Sequence, residues 1–530
     1  MYQKLVKNTA FIAIGRIGAM AATIVLTPLI ISSLGEERFG IWSLTLLFTS
    51  YISFLDFGIG LAYSKYIAEY YAKGQLDKIN SVVVCGIGLY LLFSVIVLLT
   101  GYFLIHLALT IFSIPVHLQE EARTTFWYAL IIFAGAGTFS VFESVSVGLQ
   151  KMEYNNSIVL FATLIGAVIS ILYLRSGGGL VGLLLINAFA LSVRIILMYF
   201  AARRLLPTLS LSPRFLNRAQ VRELLSFGVK VQAGRLANLG TLNINRVLVG
   251  SFVGLLGVSS YQIGATVVQG IRNLSMIMFG AITPAASEIE AKMEPQDLIG
   301  LYRTSTRATV LVAGAGFGLV AAAAAPIIVL WTGKYYPIAA LVIIFLAIAN
   351  YIHVSTGTGT ALARGIGNPG LETIFGIILL LASALLGWLL GRTWGINGIL
   401  LAVLIAYIVS SVIFMYLFNR SVDLANITFF REIILPPTVA MFSGVFAARL
   451  LAHFWPYASS SIETLSRADA FRDIVIIGSV FAILYLIGLW IFGFLRPSHV
   501  FMIVQFIREK FTGWRDRQPL LASRYDETTK

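Results

Sequence analysis

Apolar stretches recur down this chain, at 10–32, 41–64, 82–107, 124–148, 157–174, 180–202, 226–250, 256–284, 306–330, 338–362, 371–391, 396–418, 431–453 and 474–495. Each runs for roughly 18 to 28 residues, long enough to cross about 30 Å of hydrocarbon as a helix. A backbone in hydrocarbon must satisfy its own N–H and C=O groups, so a chain written this way folds as a bundle of helices. The composition agrees: 530 residues, 58% hydrophobic and 12% charged, with mean hydropathy +0.88, outside the range of soluble globular chains. The spacing predicts an all-α polytopic membrane protein of about fourteen transmembrane helices.

The net charge of +14 would suggest nucleic acid in a soluble chain. Here the Lys and Arg residues cluster in alternate loops, and no compact basic fold remains once the spans are removed, so no nucleic-acid partner is expected. About 25 of the 38 basic residues fall on the side that holds Lys4, Lys7, Lys65, Lys73, Lys78, Lys151, the arginine-rich stretch from Arg203 to Arg222, and the tail. Both termini are therefore expected to be cytoplasmic, which requires an even number of spans. Arg16 interrupts the first apolar run and no A-x-A site closes it, so the run is read as a retained first span rather than a signal peptide.

The chain also repeats itself at long range. Leu34-Gly35 and Leu256-Gly257, Gly18 and Gly240, and Phe57-Gly58 and Phe279-Gly280 each stand 222 positions apart, and residues 179–185 match 395–401 at an offset of 216. A six-helix unit used twice keeps the same orientation in both copies, which implies a pseudo-two-fold axis along the membrane normal. The expected organisation is an N-terminal six-helix lobe (1–205), a cytoplasmic amphipathic linker (206–225) lying in the headgroups, a C-terminal six-helix lobe (226–420), an additional helix pair (421–500) and a cytoplasmic tail (501–530).

Within span 226–250, Gln232, Arg235, Asn243 and Arg246 fall in an arc of about 80° at 100° per residue. Two guanidiniums in one span are costly, and the default reading is that they face a polar interior rather than lipid. The first span repeats the device, with Thr9, Arg16, Thr23 and Thr27 in an arc of about 40°. The second spans of the two copies carry Thr45, Thr49, Asp56 and Tyr63, and Gln262, Thr266, Gln269 and Asn273 with Arg272 beside them. Four polar faces must pack together or line water. Arg16, Arg235, Arg246 and Arg272 meet one obvious acid at membrane depth, Asp56, which leaves an excess of about three positive charges; a purely structural network would lie nearer balance. The surplus calls for an anion, and the planar guanidinium fork suits phosphate oxygens. Arg16, Arg235, Arg246, Arg272, Gln232, Asn243, Gln269 and Asn273 are thus the candidate substrate-binding residues, with Asp56 as charge partner or coupling group.

Other signals carry less. Glu143 and Arg194 read as an ion pair within the first lobe. His353 reads as a packing residue rather than a proton relay. The five histidines and single Cys85 show no metal spacing, the glycine-rich stretches 314–318 and 357–360 lack the features of a P-loop, and no catalytic motif or large outer loop is present. Neither cofactor, metal nor enzymatic activity is expected.

Residues 34–74, LGEERFGIWSLTLLFTSYISFLDFGIGLAYSKYIAEYYAKG, together with 148–156, 211–228 and 395–402, resemble the polysaccharide transporters of the superfamily that also holds the multidrug and toxin extruders, in particular the Wzx-type flippases of lipid-linked oligosaccharides. The resemblance spans about residues 5 to 420 and implies a fourteen-helix, two-lobed protein of the bacterial inner membrane working by alternating access. It implies a polyprenyl-pyrophosphate-linked oligosaccharide as substrate, with membrane lipids and other polysaccharide-assembly proteins as partners. No cavity residue carries over from the family by position. A cation-coupled multidrug antiporter, which would offer acids to its cargo, is the alternative; a membrane glycosyltransferase or polymerase and a non-transporting scaffold stand behind it.

Overall fold

The computed structural model describes residues 2–52, 59–277, 282, 295–368, 370–454 and 465–494. Among these there is no β-strand. The helices are α1 (Tyr2–Leu34), α2 (Glu36–Ile52), α3 (Ile59–Ala72), α4 (Leu76–Ile111), α5 (Val116–Gly148), α6 (Met152–Arg175), α7 (Leu180–Leu205), α8 (Arg218–Phe252), α9 (Leu255–Ile277), α10 (Pro295–Ala322), α11 (Ala324–Thr332), α12 (Pro337–Gly365), α13 (Gly370–Ser421), α14 (Leu435–Phe454) and α15 (Arg467–Ile491). A turn of helix, Asn426–Phe429, and a π turn, Phe430–Ile434, lead into α14. The protein is a multi-pass helical membrane protein. Large apolar side chains such as Leu99 (78% exposed) and Phe446 (69% exposed) stand outward, as a surface solvated by lipid requires.

Ten of the described helices are long and apolar enough to cross a membrane. The sequence reading counts more for identifiable reasons. Segment 41–64 is described only in part, as α2 and α3 on either side of residues 53–58, and α8 and α9 carry the polar faces that lower their apolar content. The stretch 370–421, two spans by sequence, is two helical segments joined by a sharp turn at Gly395 (φ 56°, ψ −131°), and it enters the ten as a single helix. Only glycine adopts that conformation without strain, and a Cβ at Gly398 would sit 2.0 Å from the Leu390 carbonyl oxygen.

Two boundaries differ from the sequence reading. Segment 306–330 is not one helix: α10 ends at Ala322 and α11 starts at Ala324. Pro326 explains the break, because it has no N–H to give to the Ala322 carbonyl and its ring clashes there. The linker is not a separate amphipathic helix either. Pro213–Phe215 form a single 3-10 turn, Asn217 caps the next helix with its Oδ1 on Ala219 N (2.9 Å), and residues from Arg218 onward are already the first turns of α8. An N-cap asparagine and a capped N–H make that start favourable.

Helices α1 and α3–α7 pack chiefly on one another: α1 on α6, α6 on α7, α5 on α7, and α3 and α4 on α5. A second set holds α8 on α13, α13 on α12, and α12 on both α9 and α10, while α14 and α15 cover α10 and α11. The two sets meet through α2 and α9, α1 and α11, and α8 with α3 and α4. Their meeting is concentrated where the α1–α2, α4–α5, α8–α9 and α11–α12 junctions gather, here called the junction end. There a Cβ on Gly40 would lie 2.7 Å from the Leu255 carbonyl oxygen, so α2 and α9 touch backbone to backbone. Nearby, Gly250 faces the Phe112 ring and Trp331 Nε1 donates to the Ile24 carbonyl at 2.7 Å. Ile30, Ile41 and Leu44 join Val258, Ile263 and Val268 in one buried apolar cluster across the line.

Candidate functional site

Helix α8 connects both regions. Its first turns belong to the first set: Ser81 Oγ donates to the Phe215 carbonyl (2.8 Å), Asn80 bonds Thr208 and Ser210, and Leu224 is buried among Tyr66, Tyr70, Val82 and Val145. Tyr70 Oη donates to Glu223 Oε2 at 2.9 Å, and Gln220 Nε2 donates to the same oxygen at 3.1 Å. Burial, reinforced by the Glu223 carboxylate, pushes the Tyr70 phenol up to about 12. Lys65 lies 4.0 Å above the Tyr66 ring and 4.6 Å from Phe227, a cation–π seat that keeps its charge at this end. An open groove of about 770 Å³, lined by Leu216, Val221 and Leu225 and flanked by Arg218 and Arg222, runs along the outer side of these turns.

The far half of α8 faces the other helices. Asn243 is buried, and its Nδ2 donates to Ser50 Oγ at 2.9 Å, tying α8 to α2. On α9, Gln262 Oε1 accepts from Ser43 Oγ at 3.2 Å while its Nε2 donates to Thr266 Oγ1 at 3.1 Å. The polar stripe of α9 therefore begins inside the contact between sets. Further along, Gln269 and Asn273 are exposed and bond each other at 2.9 Å.

A cluster within the second set carries the charge. Arg246 lies within electrostatic reach of the buried Tyr261, and Tyr261 within reach of Tyr407. The edge of Tyr407 meets the His353 ring at 5.5 Å, and Phe375 stacks on its face at 5.1 Å. Arg272 presents a guanidinium nitrogen 3.3 Å from His353 Nε2. No described carboxylate stands within ion-pair distance of Arg272. The contrast is the first set, where Arg194 of α7 and Glu143 of α5 form a direct ion pair, as the sequence suggests.

Of the residues expected to bind substrate, Arg246 and Arg272 belong to this cluster, Asn243 lies in the junction between sets, and Gln269 and Asn273 occupy the exposed flank of α9. Arg16 lies on α1, and Gln232 and Arg235 on α8; for these three the description covers backbone position alone. Asp56 and the tail from 501 to 530 lie outside the described residues. Sequence reasoning missed Tyr261 and Tyr407 as neighbours of the arginines, and it placed His353 in packing. Periodicity relates residues on one helix, and it holds no signal joining Arg272 to a histidine 81 positions away.

Among the described residues the chain is a strand-free helical bundle of two helix sets joined by α8, with Arg246 and Arg272 within apolar helices, and it shares its fold with solved multi-pass membrane transporters. The lipid II flippase MurJ in an inward closed conformation superimposes with TM-score 0.66 over 90% of this chain and 98% of its own, at 15% identity. An inward-facing multidrug resistance MATE family transporter gives 0.61 over 76% and 94%, at 16% identity. A MOP superfamily transporter from Pyrococcus furiosus, described as having a binding pocket of reverse polarity, gives 0.54 over 79% and 96%, at 17% identity. In sequence, an uncharacterized membrane protein of Methanocaldococcus jannaschii is 22% identical over 394 residues, covering 71% of this chain and 76% of its own. The profile of the polysaccharide biosynthesis protein family matches residues 5–290, and the chain belongs to that family.

Proposed function

We propose that this chain is a flippase that moves a polyprenyl-pyrophosphate-linked oligosaccharide across the bacterial inner membrane by alternating access, supplying polysaccharide biosynthesis and export. The observation that carries the reading is Arg272. It donates to an imidazole nitrogen, no described carboxylate pairs with it, and Tyr261, Tyr407 and His353 link it to Arg246, which supports an anion as its partner. A pyrophosphate offers such an anion, with oxygens spaced for the guanidinium fork. The polyprenyl tail stays in the bilayer throughout. Family membership points to the same cargo class.

The distribution of basic residues puts both termini in the cytoplasm and turns the junction end outward. The contacts between sets then seal the outer side, and loading takes place from the cytoplasm. Two negative charges leaving a negative interior gain roughly 2.3 kcal/mol each per 100 mV when they cross the full potential. The reading is tested with Arg246→Ala and Arg272→Ala in a strain whose surface polysaccharide depends on this chain. Both variants are expected to reach the membrane and to lose export; normal export in both would overturn the assignment. A multidrug antiporter, whose fold this chain shares, predicts instead efflux of organic cations that depends on Asp56.

A further inference from the structure

We propose that His353 is a positioning residue: a neutral imidazole that aims the Arg272 guanidinium at the anion without cancelling its charge. The inference rests on the reading of Arg272 as an anion contact and assigns a role to a side chain that the sequence leaves in packing. Arginine donates only, so His353 Nε2, at 3.3 Å, accepts, and the ring proton sits on Nδ1. A carboxylate in the same place would hold Arg272 more tightly and neutralise it. An imidazole nitrogen holds it and adds no charge.

The surroundings argue against a purely space-filling role. His353 Nδ1 is buried and has no hydrogen-bond partner among the described residues, an arrangement that is destabilising and that leucine or phenylalanine would avoid. The ring is also not free to turn toward another acceptor. Phe375 stacks on it with planes 25° apart, and Tyr407 meets it edge-on at 69°. Phe375 is braced in turn by Phe414, which stacks on Phe418. The aromatic wall fixes the imidazole, the imidazole fixes the guanidinium, and the orphan Nδ1–H is the cost of that tautomer.

The experiment measures binding of a polyprenyl pyrophosphate to the full chain in lipid nanodiscs, with the uncharged polyprenol as control. Arg272→Ala is expected to weaken the pyrophosphate about tenfold or more, the scale of one charge-assisted hydrogen bond. His353→Leu should weaken it comparably, and His353→Glu at least as much, because the new carboxylate pairs with Arg272. His353→Gln, which keeps a neutral acceptor, should stay within about threefold of the wild type. Polyprenol binding should be unchanged in all four. Wild-type affinity in His353→Leu and His353→Glu, with Arg272→Ala impaired, would overturn the positioning role and leave the anion reading standing. Wild-type affinity in both Arg272→Ala and Arg246→Ala would remove the anion reading itself. Should His353→Leu fail to insert, the near-isosteric Gln and Glu variants decide, and equal affinities in the two would overturn the proposal.

Discussion

Ser43 of α2 and Gln262 of α9, 219 positions apart in the chain, share a hydrogen bond of 3.2 Å across the line where the two helix sets meet. Beside it, Gly40 lies against the Leu255 carbonyl. The polar bond lies beside the buried apolar cluster that holds Ile41, Leu44, Val258 and Ile263, and the proposed alternating access requires both to part. With Cys85 replaced by alanine, paired Ser43→Cys and Gln262→Cys substitutions are expected to form a disulfide under mild oxidation. The bond should stop transport, and reduction should restore it. Full transport by the quantitatively crosslinked protein would show that the junction end never opens.

The opposite end is held by α8 itself. Tyr70→Phe removes one of two hydrogen bonds on Glu223 and leaves the one from Gln220, so a loss of about 1 kcal/mol is expected by thermal unfolding in detergent. The pH dependence has a definite sign. The Tyr70 phenol is raised from 10.0 to about 12, so its contribution is fully present below pH 10 and is lost as pH rises through about 12. Stability of the wild type should fall across that window more steeply than stability of Tyr70→Phe. Parallel curves would remove the linkage.

Glu143 and Arg194 form the ion pair that joins α5 to α7. Glu143→Gln leaves a half-buried arginine without its partner and is expected to lower stability by about 1–3 kcal/mol. The exchange Glu143→Arg with Arg194→Glu should recover much of that loss. Because the pair lies within the first set, anion affinity should not change in either variant; a large loss of affinity in the stable exchange variant would place the pair in the binding site.

The turn at Gly395 depends on a positive φ that no β-carbon tolerates well. Gly395→Ala should cost about 1–3 kcal/mol through backbone strain alone, with no side chain of the cluster touched. Thr393→Ala, on the adjoining exposed turn, should be near neutral. Equal melting temperatures for the two variants would mean that the turn relaxes without cost.

Much of the architecture was legible from residue order. Apolar runs fixed the helices because backbone in lipid has no other way to satisfy its polar groups. The pair Glu143–Arg194 was legible as well, since two lone opposite charges in neighbouring spans have few other partners. Pro326 lies in the middle of an apolar run, and the run divides near it because proline has no N–H to donate. The arginine-rich connector reads as a separate amphipathic helix, yet α8 already begins at Arg218 and its backbone continues through residue 225, as a change of side-chain polarity does not interrupt hydrogen bonding between turns.

By itself, the amino-acid sequence determined that this is a helical membrane protein and which faces of its helices carry arginine. Those properties follow from local hydropathy and the 3.6-residue period. Only the tertiary structure decided that Asn243 hydrogen-bonds Ser50 between α8 and α2 and that Arg272 meets His353 within an aromatic enclosure formed with α13. Partners across helices are chosen by packing, which follows from how whole faces fit together and leaves no periodic trace in the chain.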